Sequence, residues 1–395
     1  MTDEANRYRG FSCPQESLDL ALMEEISTTH FRRALRTFVS RHGALLEERG
    51  AGLSSLFLRW LDTTVDFDTV WHIAFGRMRE VLAQQHGPAS SADVVLAAAR
   101  LGLRLCERGM LGAWRLPLEA PVSLRLGPVM LPACDGLDVV AEDGALTLTL
   151  ASGAARAVVR LRGSARGWEA VAGAAQPIPS FDTGVRTVGV LLPDTPEGLE
   201  NEEHALVVDE AVRRTIWSGY HAAFNMLREH APLYLPYVNR VLRNLVPVTA
   251  EPGGYIGGGS LRDNPGTVKL PFEDHAVGLA ANLAHECAHQ HYFLLRGAGR
   301  IDDGSDLSLY TSGFIDGERD LPSIVLTYHA FANEALVLRI CERAGLPDPY
   351  AGERAEAIRA NLAPLEGILA GSRALTPLGR ALWEPAAEQL HRAFA

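Results

Sequence analysis

The chain has 395 residues, 47% apolar and 22% charged, an ordinary globular composition long enough for two or three packed units. Its net charge of −11, with 37 Lys and Arg against 48 Asp and Glu and no basic run, argues against a nucleic-acid partner. No apolar run reaches the roughly 18–20 residues needed to span a bilayer, so no membrane partner is expected. The first residues show no apolar signal core, and the five cysteines form no C-x-x-C pair. That pattern predicts reduced thiols and a cytoplasmic setting.

Residues from about 17 to 115 read as helical. Leu18, Leu20, Leu22, Met23 and Ile26 begin one helix, and Phe31, Leu35, Phe38 and Val39 carry the next. Similar periodicity follows over 45–60 and 70–85. A further apolar helix begins at Ser91, with Ser90 or Ser91 as its cap.

The pattern changes near Pro117. Strand-like alternation runs through Val122–Leu126, Leu146–Leu150 and Val158–Arg162, with Glu142-Asp-Gly-Ala as a turn. The segments at Trp168 and Val185 continue it. This predicts an antiparallel sheet of short strands over about 118–195. Such a layer either offers an edge strand to a peptide or is purely structural.

Helical patterning returns from Leu199 to Leu245, with Pro236 as a first-turn residue, and a short strand follows at Val246. The Gly-rich run from Gly253 precedes no helix with a phosphate-binding Lys, which rejects a P-loop. A strand at Gly266-Thr-Val-Lys-Leu-Pro-Phe feeds an apolar helix, with Glu273 and Asp274 suited to its positive end and Gly297 just beyond its close. A Gly-, Asp- and Ser-rich loop over 297–317 is a candidate lid. Helices over 322–344, 351–370 and 376–394 complete the chain. The fold class is therefore α+β and mostly helical. It divides into an N-terminal helical region (1–116), a central antiparallel β layer (117–197) and a helical, zincin-like metal-binding region (198–395).

The last region carries the chemistry. His285-Glu286-Cys287-Ala288-His289 is a His-Glu-x-x-His motif. On a helix, residues four apart share one face, so both imidazoles can point at one metal ion. Glu286 sits beside that face, within reach of a metal-bound water or of a group that orients a ligand. Cys287, two positions from His285, points away and reads as a small core residue. His291 cannot share the metal-facing side and reads as surface. So do His30, His42, His72 and His86, or as satisfied core residues. The bland alternative is a buried helix with two inward histidines and no metal.

Two histidines need a third protein ligand. The following helix offers His329 and Glu334, about 140° apart around its axis, so only one faces the ion. His329 is favoured because an imidazole without a partner is costly on an apolar helix. Glu334 follows Asn333 in a pair similar to that of the glutamate zincins. Arg319, just before this helix, either pairs with an acidic neighbour or grips a carboxylate in two-pronged fashion.

The region from about Tyr234 to Ala344 resembles the His-Glu-x-x-His family of α-ketoglutarate-dependent peptide β-hydroxylases found with ribosomally made natural products. The resemblance lies in Gly266-Thr-Val-Lys-Leu, Leu283-Ala-His-Glu-Cys-Ala-His-Gln, Arg319-Asp-Leu-Pro and Val325-Leu-Thr-Tyr-His-Ala-Phe. Family members often carry Arg-Pro-Leu where this chain has Asp320, with a shorter gap to the next histidine. The resemblance implies Fe(II) held by His285, His289 and His329, with α-ketoglutarate as co-substrate. Arg319, or else Arg262, would hold its far carboxylate. A precursor peptide would be hydroxylated at a β-carbon, and Glu286 would orient a ligand or contact the iron-bound species. The alternatives are a zinc metallopeptidase with Glu286 as general base and a non-catalytic peptide-binding scaffold.

Overall fold

The computed structural model describes residues 6–14, 19–63, 66–84, 89–164, 167–192, 210–248, 258–271, 275–314, 316–346 and 351–395. The fold is α+β and mostly helical, with a central antiparallel sheet.

The N-terminal helices are α1 (Leu20–Arg49), α2 (Leu53–Leu61), α3 (Phe67–Val70), α4 (Ile73–Ala83) and α5 (Ser91–Glu107). The two helices expected between Leu18 and Val39 are one 30-residue helix, and it also takes in Leu45. No Gly or Pro interrupts it before Gly43, and Asp19 caps its start by accepting from the Leu22 amide at 2.9 Å. Ser90 caps α5, accepting from Asp93 N at 3.1 Å.

The first sheet follows as β1 (Gly112–Leu126), β2 (Val129–Glu142), β3 (Ala145–Ser152), β4 (Ala155–Ser164) and β5 (Gly167–Ala172). These are antiparallel neighbours in chain order, and β6 (Gln176–Pro177) pairs with β2. It opens before Pro117, and β1 and β2 are longer than the short strands expected. The Val185 segment does not extend it. β7 (Ser180–Asp182) and β8 (Thr187–Val190) belong to a second sheet with β9 (Asn244–Val248), β10 (Gly259–Ser260) and β11 (Thr267–Pro271), ordered β10-β11-β9-β8-β7. Here β8–β9 and β9–β11 are parallel. All five residues of β9 are buried, the mark of a strand covered on both faces rather than of an alternating one.

The remaining elements are α6 (Glu210–His230), α7 (Tyr234–Val241), α8 (Ala276–Leu295), the ribbon β12 (Tyr310–Thr311) and β13 (Glu318–Arg319), α9 (Leu321–Arg343), α10 (Ala351–Gly371) and α11 (Pro377–Phe394). Pro236 sits within the first turn of α7. The Gly-rich run at 253–257, Glu273 and Asp274 lie outside the described residues. Among the described residues, α9 is long and apolar enough to cross a bilayer, yet 78% of that window is buried inside the protein.

Among the described residues the main apolar core runs from Tyr8 to Phe394, and a small second cluster gathers Ile178, Leu191, Val246 and Val248. Several contacts tie the N-terminal part to the rest. Trp71 Nε1 donates to Val241 O at 2.9 Å, and Gly76 of α4 lies so close to the Asp263 carbonyl that a Cβ there would overlap it. The turn at Arg9–Phe11 leads Ser12 into α11, where its hydroxyl bridges Leu382 O and Ala386 N. That gap in the helical ladder lies beside Pro385, which has no amide hydrogen to give.

Candidate functional site

Helix α8 is buried on most of its surface, and its packing against α9, α6, α7 and β11 fixes its rotation. His285 and His289 stand on one face, ring centroids 4.8 Å apart and nearly perpendicular at 84°. Phe331 of α9 meets the His285 ring edge-on at 4.6 Å. Phe293, one turn on, stacks beside His289 at 6.4 Å. Cys287 lies between them, fully buried in the core.

Each half of the expected third-ligand choice has a distinct place. Glu334 turns toward α8, and its Oε2 lies 2.9 Å from His285 Nδ1. Its Oε1 lies 2.5 Å from Arg354 Nη2 of α10, which also donates to Asn282 Oδ1 at 3.1 Å. Burial opposes charge on both members of the pair. The Glu334 hydrogen bond and the Glu286 carboxylate nonetheless hold His285 above the ordinary imidazole range, and His285 and Arg354 hold Glu334 below the carboxylate range. An ionised carboxylate only accepts, so His285 donates from Nδ1, and in the neutral ring the lone pair lies on Nε2.

His329 faces the N-terminal turn. Its Nε2 lies 2.7 Å from the Ser12 carbonyl and 3.3 Å from Tyr237 Oη, and Asn333, one helical turn on, donates to the same carbonyl at 2.8 Å. A carbonyl also only accepts, so His329 carries its proton on Nε2. Its buried Nδ1 has no hydrogen-bond partner. Burial, then the neighbouring His285 and His329, push His289 well below the ordinary imidazole value, and His289 Nδ1 is likewise without a partner.

Glu286 is 4% exposed, and its Oε2 has no hydrogen-bond partner. Burial pushes its carboxyl up to about 7, against the pull of His285. Gly258 lies directly against it, and a Cβ at that position would overlap Glu286 Oε1. Ser260 of β10 donates to the Glu286 backbone carbonyl at 2.9 Å, pinning this edge strand to the motif helix.

His291 corrects the surface reading. It is fully buried, stacked on Tyr237 with centroids 4.0 Å apart, and its Nε2 donates to Tyr237 O at 3.0 Å. Pointing away from the His285–His289 face means pointing into the core, because α8 is covered on that side too. His72 is another core residue, capping α4 by accepting from Ala74 N at 3.2 Å.

A cavity of about 400 Å³ opens beside His285 and Glu286. Asn282, Glu334, Arg354, Asn361 and Gly313 line it, with Phe314 stacked flat on Phe331 at 3.7 Å. The loop expected as a lid therefore supplies part of the wall. Asn282 lies one turn before His285, so helical spacing alone points to it. Nothing in sequence points to Arg354, which arrives on a separate helix. Arg319 pairs with Tyr310 across the β12–β13 ribbon, and its buried Nε has no hydrogen-bond partner. It is not among the described residues lining the cavity, and neither is exposed Arg262.

Two imidazoles with ring nitrogens open to an ion suit a first-row divalent metal. Metal-ligating histidines usually give their other N–H to a carboxylate or a backbone carbonyl. His285 and His329 each give one ring N–H to such an acceptor. Among the described residues, no group of three or more His, Cys, Asp or Glu side chains is placed to hold a metal ion. No protein-family model matches the chain, and no curated protein matches it.

Proposed function

We propose that the chain is a non-haem Fe(II)- and α-ketoglutarate-dependent oxygenase that hydroxylates the β-carbon of a residue in a ribosomally made precursor peptide. The observation that carries this reading is how the candidate ligands are anchored. His285 gives its Nδ1 proton to Glu334 and His329 gives its Nε2 proton to Ser12, each keeping one bare ring nitrogen. Together with His289 they are the three imidazoles proposed as donors, with Glu334 as an anchor rather than a ligand. A set of three protein ligands leaves open positions on a six-coordinate ion. When bound, Fe(II) with α-ketoglutarate and dioxygen supplies the oxidising power for C–H hydroxylation.

The protein's own residues do the rest. Arg319, which stands outside the cavity lining with its Nε unpartnered, is the cation proposed for the far carboxylate of the co-substrate. The Phe314–Phe331 pair walls the cavity beside His285 against water. Glu286 orients a ligand within that wall. The five cysteines are free and buried, which suits a cytoplasmic enzyme.

A second reading, a zinc metallopeptidase, is favoured by one observation. Glu286 borders the cavity with Oε2 unbonded and a pKa raised to about 7, the range suited to a general base. Incubation of the full chain with Fe(II), α-ketoglutarate and oxygen separates the two. Release of succinate supports the oxygenase. Cleavage of a fluorogenic peptide by the zinc-loaded chain, lost in Glu286→Gln and indifferent to α-ketoglutarate, replaces it with the peptidase.

A further inference from the structure

We infer that Arg354 is a positioning residue for the metal site, holding Glu334 so that His285 presents Nε2 and not Nδ1 to an ion. This rests on the reading of His285 as a ligand. It assigns a role to a residue on a helix that carries none of the motif.

The contacts form a closed circuit. It leaves α8 at Asn282, whose Oδ1 lies 3.1 Å from Arg354 Nη2. Arg354 reaches Glu334 Oε1 of α9 at 2.5 Å, and Glu334 Oε2 returns to α8 at His285 Nδ1, 2.9 Å away. Asn282 and His285 are three residues apart on the same helix, so the circuit closes on neighbouring side chains. It ties three helices together around the cavity wall.

Each member does something the others cannot. Glu334 is 2% exposed, and Arg354 is the cation that holds its carboxylate in place beside His285. A Glu334 carboxylate turned away from His285 would leave Nδ1 without its acceptor, and the ring would lose the contact that fixes Nε2 toward an ion. Arg354 cannot lose its charge, and Asn282 fixes the angle at which its Nη2 meets Glu334. Arg354 itself is 33% exposed at the cavity wall, so its guanidinium is the one charged link of the circuit open to solvent exchange.

The test uses the full chain and does not depend on turnover. Two-dimensional ¹⁵N–¹H spectra of the metal-free protein report which nitrogen of His285 carries the proton, with His285→Gln supplying the assignment. Titration with Zn²⁺ reports affinity. Arg354→Met is expected to shift His285 away from the Nδ1–H form and to weaken Zn²⁺ binding about 10- to 100-fold, the usual cost of losing a ligand's anchor. Arg354→Lys is expected to restore the tautomer in part. Near-unchanged circular dichroism separates this from unfolding; should Arg354→Met unfold, Asn282→Ala is the milder probe and is expected to shift the tautomer in the same direction. An unaltered His285 tautomer and Zn²⁺ affinity within twofold of the parent in folded Arg354→Met would overturn the assignment. If the parent chain shows the Nδ1–H form but binds neither Fe²⁺ nor Zn²⁺, the metal-enzyme reading fails while the circuit stands.

Discussion

Phe314 lies flat on Phe331, centroids 3.7 Å apart and planes within 14°, so the loop between β12 and β13 is clamped to the helix that faces His285. Phe331 touches both the loop and the His285 ring. Opening the loop therefore uncovers the site.

Phe314→Ala is expected to release this clamp. An aromatic pair contributes about 0.5–1.5 kcal/mol beyond its buried area, which is enough to loosen a loop without unfolding the domain. Amide exchange over 303–314 should speed up while α8 and α9 stay protected. Unchanged exchange in that segment would show that the loop is held by its own ribbon and not by the stack.

Gly258→Ala tests the fit around Glu286. The backbone there is not in the left-handed region, so alanine itself is tolerated. Its methyl, however, must displace the Glu286 carboxylate. The expected outcome is a melting temperature within a few degrees of the parent and at least a tenfold loss of turnover, in whichever assay detects activity. Full activity would remove Glu286 from the working site.

Gly43 and Gly76 are predicted to respond in opposite ways to alanine. Gly43 lies inside α1 with only a 3.6 Å contact to Val39 awaiting a methyl, so Gly43→Ala should stabilise by about 0.5–1 kcal/mol. At Gly76 the methyl would meet the Asp263 backbone carbonyl, and overpacking of that kind costs about 1–3 kcal/mol. Urea midpoints of the two variants should move in opposite directions.

Acid should begin to destabilise the chain before carboxylates of ordinary pKa titrate. Burial, then Arg79, lowers His30 to about 4, and burial, then Arg104, holds His72 well below its usual value. Both rings are neutral in the folded chain. Above the unfolded value of about 6.5 neither state takes up a proton, and stability is at its full level. As pH falls below it, the unfolded chain gains protons that the folded chain refuses. Each ring then removes up to about 1.4 kcal/mol per pH unit until its folded pKa is reached. Denaturation curves at pH 7.5, 6 and 5 should show this slope, reduced in His72→Asn, which can still cap α4. A flat profile from 6.5 to 5 contradicts the burial argument.

The motif helix was legible because two periodicities coincide there, the four-residue spacing of His285 and His289 and the apolar repeat around them. The three later helices were legible for the same reason. Which side of α9 meets α8 was not. A 140° separation says that His329 and Glu334 diverge, but not which one turns toward His285. That is settled by Ser12, more than 300 residues away, which takes His329 and Asn333. His291 shows the same limit, since helical spacing gives a side chain's direction but not what lies there. The second sheet was folded into the first because Val185–Leu192 alternates like its predecessors, and only its parallel partner β9 reveals that both faces are covered.

The seam at Gly76 and Trp71 has a consequence for anyone dividing the gene. A fragment starting near residue 198 would leave the Asp263 turn and the end of α7 without the helices that cover them, and apolar side chains such as Trp71 would be stranded on the other piece. Grafting the motif-bearing half onto a foreign N-terminal module should yield insoluble protein, whereas co-expressing the two halves gives them the chance to reassemble.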